Sequence, residues 1–377
     1  MIMTTAIYAF SGDPITYGHI NIIERACRSF DKVIVAIGEN PDKKYTFSLK
    51  EREDMAKKTF LEHPQISVTS FTGLLIDYAY EQGASVIIKG VRNLADFDYE
   101  NILHQVGESQ KLDIETHILF ADPSLAHISS SAVKAILKHS GDIHEYVPLH
   151  VKQKLEEELL GQYIIGVTGV IGSGKSYISN LLTSYAFGER EIHNIELDHI
   201  GHDILSKLKE PAYRQIRYDI ENLFNKTVMQ KDGFIDRKAL GDIVFSNHKK
   251  LEKLNKIMEK AILVKLRKEL AKKNGIILIN CALLAEAGML HICNNNIIII
   301  TVNKEIQESR LMDRGYTDHQ RNKRVFSQYD EDSKTKAIIK NIKEHKHGRL
   351  WTINNNKINL SDLYIKFKGI LKELDMS

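Results

Sequence analysis

The run Gly169-Val170-Ile171-Gly172-Ser173-Gly174-Lys175-Ser176 has the spacing G-x-x-x-x-G-K-[ST] of a phosphate-binding loop. Glycines there let backbone N–H groups close around phosphate oxygens, the lysine reaches the β- and γ-phosphates, and the serine hydroxyl is placed to ligate Mg²⁺. The apolar segment YIIGVT before it predicts a strand, and the segment from Tyr177 onward predicts a helix, which is the context such a loop requires. This part of the chain is therefore expected to bind a nucleoside triphosphate. Gly172, Ser173, Gly174, Lys175, Ser176 and Tyr177 would line the nucleotide, with Ser176 as metal ligand. Farther on, the segment NIELDHIGHD places Asp198 at the end of the next strand, where a carboxylate is either a base for an acceptor hydroxyl or a helix cap. His199, His202 and Asp203 follow without an obvious further ligand, so no zinc site is expected.

A second strand-to-loop-to-helix entry occurs near the start, in YAFSGDPITYGHINII (Tyr8–Ile23). Gly12 allows close approach of backbone to ligand, and Pro14 fixes its own φ. Gly18 and His19 then open a helix, where free N–H groups and the macrodipole favour an anion. With the Ser11 and Thr16 hydroxyls close by, His19 is placed to brace charge developing on phosphorus. Lys43 and Lys44 fall on the loop after the second predicted strand. Lys89, Gly90 and Arg92, then Glu100, follow the fourth, and Ser129, Ser130 and Ser131 begin a helix. In a parallel sheet all of these segments converge on the carboxyl edge, giving cations and donors for several phosphates at once.

The elements that must hold these residues alternate between strand and helix. AIYAF, KVIVAIG, ISVTSF, SVIIKG and THILFA read as strands of one sheet, and IIGVTG, HNIEL, GIILIN, NIIIITV and WTIN as strands of another. A capping box, Ser48 with Glu51, opens one helix. Another is expected to start in ISSS and close at Gly141. The four isoleucines 297–300 suit a central strand buried on both faces. At 377 residues the chain exceeds what one core serves, and its charge is split: residues 1–160 hold 16 Lys and Arg against 23 Asp and Glu, the remainder 36 against 26. Two α/β domains are expected, 1–160 and 161–377, each a parallel sheet with helices on both faces. Three cysteines without a CxxC pair, no signal-like N-terminus and no long apolar run lead to the expectation of a reducing, cytoplasmic setting without membrane anchorage. The basic second half carries no nucleic-acid recognition motif and no aromatic-interleaved basic patch, so no nucleic-acid partner is expected.

Residues 4–160 resemble bacterial phosphopantetheine adenylyltransferase, whose pattern runs G-T-F-D-P-I-T-x-G-H, x-K-K, R-G-x-R-x-x-x-D-F-x-Y-E and I-S-S-S. The resemblance implies transfer of AMP from Mg-ATP to 4′-phosphopantetheine by in-line attack of the acceptor phosphate, with release of pyrophosphate. It implies His19 as stabiliser of the transition state, with Lys43, Lys89 and Arg92 neutralising charge. Ser11 would take the threonine's place at the phosphates and Leu75 would lie near the pantetheine arm. Gly12, Gly18, Gly90, Glu100 and Ser129–Ser131 would hold ATP. The chain departs from the pattern at Phe10-Ser11-Gly12, where the glycine is displaced, and at Lys89, which replaces an arginine. It also lacks the usual small-proline-aromatic pattern in FADPSLAHISSS.

Residues 163–375 resemble dephospho-CoA kinase, which phosphorylates the ribose 3′-hydroxyl of dephospho-CoA. The likeness is carried by the P-loop, ELD, DGFIDRKALGDIVF, ALLAE, SRLMDRG and RVFSQ. It implies Asp198 as general base, Arg237 on the substrate side, and Arg310 and Arg314 as lid cations on the ATP phosphates. Departures are Glu259-Lys260 for the family's His-Pro and Asn280-Cys281-Ala282 for its Asp-x-Pro, the latter removing a carboxylate near the metal. Together the two likenesses imply a bifunctional coenzyme A synthase, with Mg²⁺ and ATP used in both halves and a homo-oligomeric assembly. The alternative is an active adenylyltransferase fused to a nucleotide-binding regulatory domain whose kinase chemistry has decayed.

Overall fold

A computed structural model describes residues 4–374 except 186–187, 189, 225–227, 245–246, 316, 319–320, 322–324 and 326–327. The chain divides into two compact units, Met1–Leu159 and Leu160–Ser377. No helix among the described residues is long and apolar enough to cross a membrane.

In the first unit the apolar runs form β1 (Thr5–Phe10), β2 (Lys32–Ile37), β3 (Ile66–Ser70), β4 (Val86–Val91) and β5 (Glu115–Phe120). They pair in the order β3-β2-β1-β4-β5, all parallel, with Phe10 beside Ile37, Tyr8 beside Ile88 and Lys89 beside Ile118. From β1 the chain builds outward to β2 and β3, then crosses back to place β4 on the other side. That reversal opens a crevice beyond the carboxyl ends of β1 and β4. Ile7, Ile34, Ala36 and Ile87 pack with Ile76 and Ala79 of the helix Leu75–Glu81. Each such side chain contributes about 1.5–3 kcal/mol by leaving water. The capping box holds: Ser48 Oγ accepts from the Glu51 N–H and Glu51 accepts from the Ser48 N–H. The helix Ser130–Lys138 is capped by Ser129, as expected. Its close differs in detail, because the left-handed residue is Ser140 (φ 56°), while Gly141 donates its N–H to the Ile136 carbonyl. A Cβ at Gly141 would lie 2.4 Å from Ile136 Cγ2, so glycine is needed there for approach and not for its φ.

In the second unit β6 (Gln162–Thr168), β7 (Ile192–Glu196), β8 (Gly275–Asn280), β9 (Asn296–Thr301) and β10 (Arg349–Asn354) form a parallel sheet in the order β10-β9-β6-β8-β7. Side chains alternate between two cores. Ile277, Ile279 and Ile297 face a layer that includes Ile200, Ile220 and Met258, whereas Ile276, Leu278, Ile298 and Ile300 face Ile178, Leu363 and Phe367. The isoleucine run is thus buried on both faces. The Lys-rich helix His248–Leu270 puts Leu251, Met258, Ala261 and Leu266 into the core and leaves Lys249, Lys250, Lys253, Lys256 and Lys260 exposed. Part of the positive charge of this half is therefore a solvated helix face.

Candidate active sites

Beyond the carboxyl ends of β1 and β4 lies a cavity of about 770 Å³. Its wall contains Ser11, Gly12, Gly18, His19, Lys43, Leu75, Lys89, Gly90, Arg92, Glu100, Ser129, Ser130 and Ser131, the first-unit residues expected to bind or react. Five separate segments meet there, as a parallel sheet requires.

His19 stands in the first turn of the helix Tyr17–Ala26, its ring 4.6 Å from that of Phe10. The Thr16 N–H donates to Nδ1 at 3.1 Å, so Nδ1 is the acceptor nitrogen and the proton of the neutral ring sits on Nε2. Burial, aided by the positive charge of Arg92, lowers its pKa from 6.5 to about 4. At neutral pH His19 is therefore an uncharged donor with a fixed tautomer.

Arg92 and Lys89 are held by acids. Arg92 makes a two-pronged contact with Asp96, Nε to Oδ2 at 2.7 Å and Nη2 to Oδ1 at 3.0 Å, which raises the arginine's pKa and lowers that of the acid. Lys89 Nζ lies 2.8 Å from Glu100. Lys43 Nζ reaches Ser11 Oγ at 3.4 Å. Ser130 Oγ donates to the Pro14 carbonyl at 2.8 Å, and Gly12 takes φ 65°, the conformation that needs glycine before the cis Asp13–Pro14 bond.

Two residues that the sequence did not single out bind these loops together. Arg52 is fully buried and donates through Nη1 to the carbonyls of Ser11 (2.6 Å) and Gly38 (2.9 Å), with its guanidinium 3.9 Å from the Tyr45 ring centre. Asp13 accepts from Lys134 Nζ at 2.5 Å and from the Thr46 and Phe47 N–H groups. Burial opposes ionisation of Asp13, but these donors outweigh it and hold the carboxyl below its ordinary range. No sequence signal marks Arg52: in LKERED it reads as one charge of a solvated helix.

In the second unit the P-loop joins β6 to the helix Lys175–Thr183. Gly169, Gly172 and Gly174 take φ 148°, 80° and 87°. Lys175 Nζ donates to the Gly169 and Val170 carbonyls at 3.1 and 3.2 Å, and burial lowers its pKa to about 8 against the opposing pull of Asp198. Ser176 Oγ donates to Glu196 at 2.8 Å and accepts from Asn280 Nδ2 at 3.3 Å. The residue that departs from the kinase pattern therefore still touches Ser176, the serine expected to ligate the metal. Asp198 lies in the first turn of the helix Leu197–Ser206 and not at the end of the strand, which stops at Glu196, the cap residue. Its pKa is raised, chiefly by burial and also by Glu196, with Lys175 opposing.

Arg237 opens the helix Arg237–Val244 and meets His202 Nε2, whose pKa falls to about 4 through burial and that guanidinium. Arg310 donates to the Gly172 and Ser173 carbonyls at 3.4 and 3.1 Å. Arg314, just beyond the helix Lys304–Asp313, and Tyr177 are exposed. Of RVFSQ, Arg324, Phe326 and Ser327 lie outside the described residues. A hydroxyl and two carboxylates, those of Ser176, Glu196 and Asp198, gather beside the loop. Hard oxygen donors of this kind fit a divalent cation such as Mg²⁺.

Comparison with known proteins gives the same division. A model described as cytidylyltransferase-like matches residues 11–136, and a dephospho-CoA kinase model matches residues 163–346. A phosphopantetheine adenylyltransferase of Nautilia profundicola is 43% identical over 152 residues, spanning 40% of this chain and 99% of that protein. One from Clostridium perfringens strain SM101 is 40% identical over 158 residues, spanning 42% and 96%. Among solved structures, a dephospho-CoA kinase from Campylobacter jejuni is 22% identical with TM-score 0.34, covering 56% of this chain and 97% of that one. TT1252 from Thermus thermophilus is 26% identical with TM-score 0.44, covering 56% and 98%.

Proposed function

Because the chain belongs, through its first unit, to the phosphopantetheine adenylyltransferase family and carries a dephospho-CoA kinase domain in its second, we infer that it performs the last two steps of coenzyme A synthesis. The supporting observation is that each unit presents its own phosphate site at the carboxyl edge of its own sheet, and the product of the first reaction is the substrate of the second.

In the first step an oxygen of the 4′-phosphopantetheine phosphate attacks the α-phosphorus of ATP. The bond from that phosphorus to the bridging oxygen breaks, and pyrophosphate leaves. The Nε2–H of His19 donates to a non-bridging α-oxygen as its charge grows, while Lys43, Lys89 and Arg92 neutralise the phosphates. Ser11, Gly12, Gly18, Gly90, Glu100 and Ser129–Ser131 seat the nucleotide, and Leu75 borders the acceptor's arm. In the second step the ribose 3′-hydroxyl attacks the γ-phosphorus, its proton passes to Asp198, and ADP leaves. A carboxylate whose pKa is raised by burial is a stronger base than a solvated one. Lys175 and the P-loop amides hold the β- and γ-phosphates, Arg237 faces the acceptor, and Arg310 and Arg314 belong to the lid. Ser176, beside Glu196, would hold Mg²⁺, which when bound would neutralise phosphate charge.

The enzyme is cytoplasmic and self-associating. Three free cysteines suit the first statement. The second is supported by the helix Leu94–Glu108, none of whose residues is buried and which exposes Leu94, Phe97, Ile102 and Val106. Light scattering on a sizing column tests it, and a monomer refutes it.

Product analysis from 4′-phosphopantetheine and Mg-ATP tests the two-step reading. Wild type makes CoA, His19→Ala makes little dephospho-CoA, and Lys175→Ala accumulates dephospho-CoA. Absence of CoA from the wild-type reaction, with ATP still bound, would overturn the kinase assignment.

A further inference from the structure

A P-loop turns its N–H groups toward the anion, and its carbonyls consequently face outward into protein, where each needs a donor. Lys175 and the Ser173 N–H serve the first carbonyls of the loop, and side chains from two distant segments serve the Ile171, Gly172 and Ser173 carbonyls. Gln307 Nε2 donates to the Ile171 carbonyl at 2.7 Å, and Arg310 Nη1 to Ser173 at 3.1 Å. Asn355 Nδ2 donates to the same Ser173 carbonyl at 2.8 Å. Gln307 and Arg310 lie on the helix Lys304–Asp313 after β9, and Asn355 directly follows β10.

Asn355 is the junction of this set. It is 3% exposed. Its N–H donates to the Thr301 carbonyl at the end of β9 (2.8 Å), and its own carbonyl accepts from Arg310 Nη2 (2.9 Å). One residue thus ties the P-loop, β9, β10 and the helix that carries the lid sequence. The motif glycines leave room for this brace: a Cβ at Gly174 would lie 2.3 Å from Asn355 Nδ2, and one at Gly172 3.1 Å from Gln307 Cγ. We propose that Asn355 is a positioning residue for the kinase reaction, which holds the Ser173 carbonyl outward and so keeps the Gly174 and Lys175 N–H groups aimed at the nucleotide phosphates. The proposal rests on the kinase reading of the second unit.

The discriminating variant is Asn355→Asp, isosteric but with an acceptor oxygen set against the Ser173 carbonyl. On the full chain, Kd for Mg-ATP is read by calorimetry with Lys175→Ala alongside, and hydrogen exchange of amides 170–175 is followed with and without Mg-ATP. Both kinetic constants for dephospho-CoA phosphorylation and the rate of pyrophosphate release by the first unit complete the set. The expected result is at least tenfold weaker ATP binding and faster exchange confined to the loop. A raised KM for ATP goes with these, while pyrophosphate release stays at wild-type rate. Asn355→Ser, which restores a donor on a shorter arm, recovers part of the affinity. Wild-type loop exchange and ATP affinity in Asn355→Asp would overturn the proposal, as would a general loss of protection across the second unit. Failure of the kinase reading looks different: wild type would bind ATP and protect its loop without phosphorylating dephospho-CoA.

Discussion

In the proposed first step the protonation state of His19 is decisive, and the structure fixes that state from two sides. The Thr16 N–H occupies Nδ1, and burial with the Arg92 charge brings the pKa from 6.5 to about 4. At pH 7 only about one ring in a thousand is then an imidazolium. If the neutral Nε2–H is the working donor, removing it in His19→Ala costs what the loss of one preorganised donor to a developing phosphate charge costs, about 10²–10³ in rate. The pH dependence sharpens this. The acceptor phosphate titrates near pH 6 by itself, but it does so identically in both enzymes. The ratio of wild-type to His19→Ala kcat, from initial rates of pyrophosphate release at saturating substrates, is therefore expected to stay constant from pH 8.5 down to about 5.5. A ratio that climbs as pH falls through 7 to 6 would show that the imidazolium is the working form and refute the assignment.

The same depressed pKa is a statement about stability. A histidine kept neutral in the folded state contributes fully above its unfolded value of 6.5, and that contribution is lost as pH falls toward the folded value of about 4. The upper bound is about 3 kcal/mol for this interval. His150, whose pKa is also lowered to about 4 by burial, adds in the same direction. Urea unfolding of wild type is expected to weaken between pH 6.5 and 4, and His19→Ala to flatten part of that slope.

Two further changes test the supports around the reacting groups. Lys134→Met leaves the Asp13 carboxylate, 7% exposed, without its cation; since the lysine is itself 20% exposed, a loss of about 2 kcal/mol is expected, below that for a fully buried pair. A urea midpoint unchanged from wild type would show that the Thr46 and Phe47 N–H groups satisfy Asp13 alone. Asp198→Asn keeps the side chain's shape and removes the proposed base, so dephospho-CoA phosphorylation is expected to fall about 10²–10⁴-fold while calorimetric ATP affinity stays within a few-fold. Retained turnover would exclude Asp198 as proton acceptor.

What the sequence made legible, and what it hid, separate along the two sides of each loop. The strands were readable because isoleucine and valine runs bounded by glycine and polar residues have few other fates, and the β8 and β9 runs did alternate between two cores. Convergence of Lys43, Lys89, Arg92 and Ser129–Ser131 on one cavity followed from parallel topology, which brings every strand's carboxyl end to one edge. The ligand-facing side of a phosphate loop is spelled in contiguous residues, because glycine and its spacing set where the N–H groups point. Its far side is not. The Ser11 carbonyl is met by Arg52, Pro14 by Ser130, Ile171 by Gln307 and Ser173 by Asn355, partners 41, 116, 136 and 182 residues away. Arginine, serine, glutamine and asparagine each serve, so the requirement is for a donor at a point in space and not for a residue type at a spacing. Arg310 shows the consequence. A motif assigns its charge to phosphate, while its guanidinium here lies on the carbonyls of Gly172, Ser173 and Asn355. A guanidinium that makes those contacts acts on the nucleotide first through the shape of the loop, and only by releasing them could it reach the phosphates directly.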